Sequence, residues 1–258
     1  YDMNGKLLWE KDPGAYFTLN GWGTGSSPVL YNDMVFVQVD NEEHSFIVAL
    51  DAKTGNELWK SDRDEKTNYS TPVIWKNKIR TELVTTGKTA RSYEPETGKI
   101  LWELKAGGET STPSPVYDDK NLYLGNAGGQ KVKGTLFSVK AGATGDITPA
   151  EGDSVSSGVN WSVMDSGIAN PSPLLCNGLI YVVAGRGGEV RCYDAASGKI
   201  IYKGKVPESG AVWSSPWSCK DKILILDEKG VNHVLKAGRQ FEVLGQNKLD
   251  DKFWASVA

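Results

Sequence analysis

A nine-residue phrase, Asp-x-x-Thr-Gly-x-x-Leu-Trp, recurs along this chain and constrains its fold more than any other feature. It reads Asp51-Ala52-Lys53-Thr54-Gly55-Asn56-Glu57-Leu58-Trp59, then Glu94-Pro95-Glu96-Thr97-Gly98-Lys99-Ile100-Leu101-Trp102, then Asp194-Ala195-Ala196-Ser197-Gly198-Lys199-Ile200-Ile201-Tyr202. A shorter copy, Asp2-Met3-Asn4-Gly5-Lys6-Leu7-Leu8-Trp9, opens the chain, and a worn one lies at Ala143-Thr144-Gly145-Asp146-Ile147-Thr148. A phrase repeated at a fixed period marks one supersecondary unit copied and stacked, and a period in the forties points to propeller blades.

A second phrase keeps the same phase. A Ser/Thr-Pro step precedes an apolar run at Ser27-Pro28, Thr71-Pro72, Ser114-Pro115, Ser172-Pro173 and Ser215-Pro216, with Ser256-Val257 as an incomplete copy. The prolines stand 44, 43, 58 and 43 residues apart, so one unit carries an insertion. Between the phrases lie short runs rich in β-branched and aromatic residues, too short for helices and typical of strands. Four strands per unit are predicted, in the first complete unit roughly 27–30, 34–40, 45–50 and 57–61. The Thr-Gly step sits between the third and fourth strands, where glycine accepts positive φ and the Asp or Thr side chain can bond the turn backbone.

The tryptophan four residues past that glycine falls on the outermost strand, where a large ring can fill the wedge between blades and its N–H can reach a carbonyl of the adjoining blade. Trp9, Trp59 and Trp102 are therefore expected to be structural. Pro149 and Tyr202 stand at the same offset in the next two units, so those joints are expected to pack differently. Cys176, Cys192 and Cys219 form no Cys-x-x-Cys or adjacent pair and are expected to be three buried free thiols.

The 258 residues read as a single all-β domain, a β-propeller of four-stranded antiparallel blades with about six repeats, five of them complete. Tyr1 and Ala258 fall inside repeat units, so the sequence reads as a segment of something longer. The two ends would either meet as a sixth blade or belong to a larger ring of seven or eight. A net charge of −3 with no basic, aromatic-interleaved cluster argues against nucleic acid as a partner. No run of 18 apolar residues is present to span a membrane as a helix.

The pattern Ala49-x-Asp51-x-x-Thr54-Gly55-x-x-x-Trp59 resembles the tryptophan-docking repeat of the pyrroloquinoline-quinone-like (PQQ-like) β-propeller superfamily. That superfamily includes quinoprotein dehydrogenases, the lipoprotein of the outer-membrane β-barrel assembly machinery, and secreted bacterial repeat proteins. The resemblance covers nearly the whole chain and implies a periplasmic, outer-membrane-associated or secreted protein. Its enzymes carry a vicinal disulfide, a calcium site of Glu, Asn and Asp, and an Asp base. No Cys-Cys occurs here and no acidic cluster matches the calcium ligands, so no catalytic residue and no metal ligand carries over. The expectation is a non-catalytic scaffold without cofactor, holding a protein, peptide or glycan. The alternatives are a PQQ- and calcium-dependent dehydrogenase and a carbohydrate-binding or carbohydrate-active propeller.

The residues leading into each first strand should rim one mouth of the central channel. Three positions before each proline stand Gly25, Tyr69, Thr112, Asn170 and Trp213, with Trp254 in the incomplete copy. Tyr69, Asn170, Trp213 and Trp254 are candidate ligand contacts, joined by Ser26, Ser70, Ser114, Ser172, Ser214 and Ser256; the competing reading is that the serines cap turns and the aromatics pack between blades. The insertion, roughly 150–169, is expected to join an outer strand to the next inner strand on that same face, bringing Trp161 of Gly158-Val159-Asn160-Trp161 to the mouth. Glu82, Glu109 and Asp165 could approach it as carboxylates, though no spacing singles out a catalytic pair. His44 and His233 have no second ligand at metal spacing. Gly185-Arg186-Gly187-Gly188 and Gly125-Asn126-Ala127-Gly128-Gly129 precede no helix and read as hairpin turns rather than phosphate loops.

Overall fold

Strands of two to seven residues separated by turn signals fold here as antiparallel meanders, one for each complete repeat unit. The structure is a computed structural model that describes residues 1–108, 111–127, 134–185 and 187–257. The first sheet contains β1 (Val29–Tyr31), β2 (Met34–Val39), β3 (Ser45–Asp51) and β4 (Glu57–Arg63), in that order. The second contains β5 (Val73–Lys76), β6 (Thr81–Thr85), β7 (Thr89–Tyr93) and β8 (Ile100–Lys105). In the third are β9 (Val116–Tyr117), β10 (Asn121–Gly125), β11 (Leu136–Lys140) and β13 (Val159–Val163), while β12 (Gly145–Asp146) adds to the second sheet. The fourth runs β14 (Leu174–Cys176), β15 (Leu179–Val183), β16 (Glu189–Asp194), β17 (Ile200–Lys205), and the fifth β18 (Trp217–Cys219), β19 (Lys222–Leu226), β20 (Val231–Lys236), β21 (Val243–Lys248). Among the described residues the sole helical element is a 3-10 turn at Leu19–Gly21, and none is long and apolar enough to cross a membrane. The all-β propeller expectation is borne out.

First strands neighbour one another from blade to blade, β1 with β5, β9 with β14 and β14 with β18, so they line the axis. The Ser/Thr-Pro steps link them directly. The backbone N–H of Ser27 donates to Thr71 Oγ1 (3.1 Å), Thr71 to Ser114 Oγ (3.0 Å), Ser114 to Ser172 Oγ (3.0 Å), Ser172 to Ser215 Oγ (3.0 Å) and Ser215 to Ser256 Oγ (2.9 Å). Each hydroxyl in this ladder satisfies an amide that no strand partner reaches, which is why the residue before proline is Ser or Thr in every unit. Ser114, Ser172 and Ser256 of the candidate collar thus accept backbone amides, in keeping with the capping role of the competing reading. Ser70 and Ser214 are buried, the first accepting from Thr86 Oγ1 and the second donating to Leu226 O.

Between blades, apolar faces interlock. Phe36, Ile47 and Ala49 of the first sheet meet Leu83 and Tyr93 of the second; Tyr181, Val183 and Val190 of the fourth meet Ile223, Ile225 and Leu235 of the fifth. Burying each such side chain contributes roughly 1.5–3 kcal/mol. The indoles close the joints at the rim. Trp9 Nε1 donates to Ala52 O (2.8 Å) and Trp59 Nε1 to Pro95 O (2.8 Å). Each ring lies on the turn glycine of the next blade: a Cβ on Gly98 would stand 2.5 Å from the Trp59 ring. With φ of +73° as well, glycine is required there twice over.

Two joints differ from expectation. Trp161 is not in a loop at the channel mouth but in the middle of β13, paired with Ser138 at the register that Trp59 holds opposite Ala49. It donates to Ala195 O (3.1 Å) and covers Gly198, so the third joint is docked in the way that Trp9 and Trp59 dock theirs. The insertion therefore delivers the fourth strand of the third blade instead of following it. The worn Thr-Gly copy has moved: Gly145–Asp146 pairs in parallel with Trp102–Glu103 and covers the edge of the second blade. With that rim occupied, Trp102 turns into its own blade and donates to Glu82 Oε2 (2.7 Å) rather than to a carbonyl across the joint. At the fourth joint Tyr202 meets Phe241 edge-on at 5.6 Å, a different packing as expected.

The cysteines are free, but Cys176 is half-buried and Cys219 exposed, which corrects the expectation of three buried thiols. The two end equivalent first strands. Cys176 packs into the joint between fourth and fifth blades, whereas Cys219 stands on the last described blade.

The turn phrase is an electrostatic device as well as a steric one. Thr54 Oγ1 (2.8 Å) and N (2.7 Å) donate to Asp51 Oδ1, and Ser197 Oγ (2.8 Å) and N (3.1 Å) to Asp194 Oδ1. These hydroxyl and amide donors, with Arg239 beside Asp194, hold both carboxyls below the ordinary range. A carboxyl lowered on folding gives stability that is complete above its unfolded pKa of about 3.9 and is lost as pH falls through the folded value. Urea midpoints are thus expected to hold from neutral pH down to about 4 and to fall below it. Carboxyl NMR titration should show the Asp51 pKa rising in Thr54→Val.

Candidate functional site at the channel mouth

The turns between second and third strands and the connections between blades meet on one face, and the rim of that face carries the candidate residues. Trp213 and Trp254, three positions before Pro216 and at the matching place in the last unit, stand with ring centroids 5.9 Å apart and planes at 30°. Trp213 is half-buried and Trp254 is 72% exposed. Sequence position alone predicts this pair, because quasi-equivalent residues of adjacent blades are spatial neighbours.

A carboxylate unforeseen from the sequence completes the pair. Glu228 Oε2 accepts from Trp213 Nε1 (3.3 Å) and Oε1 from Ala211 N (3.2 Å), while the Glu228 amide donates to Ala211 O (2.8 Å). Its turn is anchored by the buried Asp227, which accepts from the amides of Gly210, Lys229 and Val231 (2.8, 2.9 and 3.0 Å) and faces His233 Nε2 at 3.3 Å. Burial works to raise the Asp227 pKa, but these donors outweigh it and hold the carboxyl below its usual value. The Asp-Glu-Lys-Gly turn signal at 227–230 was the available clue. Glu228, Lys229, Lys248, Leu249, Asp250, Asp251, Lys252 and Trp254 line a recess of about 790 Å³.

Tyr69 lies elsewhere on the rim, over Gly25 of the preceding unit and 6.2 Å from the Trp22 ring, another residue that sequence reasoning passed over. Its hydroxyl is buried without a hydrogen-bond partner among the described residues, and burial together with the charge of Glu42 raises its pKa. A second recess of about 460 Å³ opens beside it, lined by residues 64–68, Gly87, Lys88, Gly108 and Ser111. Asn170 is half-buried in the connection leading to β14. Trp161 is only 6% exposed and its ring is taken up by the blade joint.

Of the three carboxylates expected near the mouth, Glu82 is fully buried in the second joint. It accepts from Asn77 Nδ2, Arg80 Nε, Ser92 Oγ and Trp102 Nε1, a saturated structural carboxylate and not a member of a facing pair. Asp165 is exposed near Arg191. Glu109, Gly128, Gly129 and Arg186 lie outside the described residues. Among the described residues no three His, Cys, Asp or Glu side chains converge to hold a metal ion.

The repeat is recognisable against known proteins. A family model described as outer membrane protein assembly factor BamB matches residues 1–147. Tetrathionate hydrolase from Acidithiobacillus ferrooxidans is 29% identical over 127 residues, 48% of this chain and 24% of that protein. The chain thus spans about a quarter of the length of that curated relative. BamB from Moraxella catarrhalis superposes with a TM-score of 0.51 at 13% identity, covering 86% of this chain and 73% of that one. The quinohemoprotein alcohol dehydrogenase from Comamonas testosteroni gives 0.64 at 14% identity, covering 88% and 43%. At such identities the likeness is one of fold.

Proposed function

The chain belongs to the PQQ-like repeat family whose model is described as outer membrane protein assembly factor BamB, and on that premise we propose that it is a non-catalytic propeller that holds a partner at its channel mouth. The partner is a protein, peptide or glycan met outside the cytoplasm, in the periplasm, at the outer membrane or in secretion. Trp213 and Trp254 are the stacking contacts, with Tyr69 and Asn170 further along the rim. The observation that carries this reading is the pair of tilted indoles, of which Trp254 lines an open recess and Trp213 is bonded to the Glu228 carboxylate in its wall. Flat apolar faces edged by charge suit a stacked ring or a peptide side chain. The polar groups deeper in the blades support it too, since Asp40, Glu65, Glu82 and Asp227 are each occupied by internal hydrogen bonds.

Peptide and glycan arrays probed with the wild type and the Trp213→Ala/Trp254→Ala pair test the assignment. Spots bound by the wild type are expected to vanish with the double variant, and an unchanged pattern would remove the recess from consideration. A separate measurement addresses the enzymatic alternative. Protein incubated with PQQ and calcium and then desalted is expected to retain no quinone absorbance and to melt at an unchanged temperature; stoichiometric retention would sink the non-catalytic reading.

A further inference from the structure

The segment before the first blade inverts the usual design of a loop. Phe17, Leu19 and Trp22 are 62%, 41% and 72% exposed, while the one buried side chain among them belongs to Thr18. The backbone that carries them is pinned throughout. Phe17 N donates to Glu43 Oε2 (2.9 Å), Glu42 N to Phe17 O (2.9 Å) and Leu19 N to Thr67 Oγ1 (2.9 Å). Thr18 closes the 3-10 turn from inside, its carbonyl accepting from Gly21 N and its hydroxyl from Gly23 N (2.8 Å). Asn20 holds the left-handed conformation at φ 56°, which lets the chain reverse and places Trp22 against Tyr69. Loops left to solvent are polar and loosely tied; this one spends five hydrogen bonds to hold three large apolar groups in water.

We propose that this turn is a docking surface for an amphipathic segment of another protein, apolar on one side and carrying lysines or arginines at its flanks. The apolar part follows from the three side chains, and aromatic anchors of this kind dominate binding energy where they occur. The basic flanks follow from the acids that frame the turn. Glu42 is half-buried and charged, its carboxyl held below its usual pKa by the hydroxyl and amide of Thr67, but Lys66 Nζ stands on the Glu42 carbonyl (2.7 Å) and 3.9 Å from that carboxylate, so the net negative charge of the frame is that of the exposed Glu43. Two copies of the same acidic frame would repel, which disfavours a second copy of this chain. A fixed turn geometry gains affinity against a shaped partner by removing ordering cost and gains nothing against a fluid lipid surface. The surface shares no residue with the recess beside Trp254, although Trp22 touches Tyr69 of the same rim, and its test reads it separately.

The probes are a short Leu/Lys amphipathic peptide and its Leu/Glu counterpart, titrated against the full chain by calorimetry. The Leu/Lys peptide is expected to bind and the Leu/Glu peptide not to. Trp22→Ala and Phe17→Ala should each weaken binding by roughly tenfold, with melting temperature unchanged because neither ring is buried. Glu43→Gln keeps the acceptor for Phe17 N and should weaken binding only at low salt. Leu244→Ala, exposed on the outer strand of the fifth blade, should bind as the wild type. Equal binding of both peptides, or binding indifferent to Trp22→Ala, would overturn the proposal. So would sedimentation as a dimer that Trp22→Ala dissociates, or flotation with phosphatidylcholine vesicles that it abolishes.

Discussion

Arg63→Met is expected to destabilise this propeller by about 3–5 kcal/mol, a large effect for one substitution at a residue that lines neither recess. Arg63 ends β4 and reaches across the first joint with its side chain fully buried, as is that of its partner Asp40. Its Nε donates to Asp40 Oδ1 (2.8 Å), and its terminal nitrogens to Asp40 Oδ2 (3.1 Å), Thr85 Oγ1 (2.6 Å) and Tyr93 Oη (3.0 Å). Asp40 also accepts from Gln38 Nε2 and Asn68 Nδ2. Methionine would fill most of the volume yet leave a buried carboxylate without its counter-charge, and that uncompensated charge is the main cost. The pair itself contributes far less. Adding Asp40→Leu to Arg63→Met should therefore recover part of the loss, and a urea-unfolding double-mutant cycle measures both quantities. A loss under about 1 kcal/mol for Arg63→Met would mean that water reaches the pair when the arginine is gone.

That network also marks where sequence reading stops. The turn phrase, the strands and the period were legible because each is local: Asp51, Thr54 and Gly55 act within one turn, and β2 and β3 announce themselves by length and composition. The Trp213–Trp254 pair was legible because repetition converts sequence equivalence into adjacency. Arg63 and Asp40 stand 23 residues apart and belong to no phrase, so nothing local pairs them. Glu228 was missed for the same reason, its partner Trp213 lying across a strand pair. Trp22, in Asn20-Gly21-Trp22-Gly23, belongs to no repeated phrase, and only the folded chain shows it in solvent.

The displaced strand is the clearest failure, and its consequence is the second large effect. Thr144-Gly145 kept the turn phrase, so the fourth strand was expected directly after it, with position 149 at the joint. The chain instead lays Gly145–Asp146 along β8 and supplies the blade from Val159–Val163, whose alternation around Trp161 was the strand signal available. Trp161→Ala is accordingly expected to cost about 3–5 kcal/mol, the range for removing a buried aromatic. Trp161→Phe should keep most of the packing and cost about 0.5–1.5 kcal/mol for the lost bond to Ala195 O. Gly198→Ala should also destabilise, since φ is +68° and the added methyl would stand 2.6 Å from the indole. Trp254→Ala, on an exposed ring, should stay within about 0.5 kcal/mol of wild type. Urea melts of the four variants decide between a joint and a ligand contact: if Trp161→Ala melted like Trp254→Ala, the indole would not be holding the third and fourth blades together.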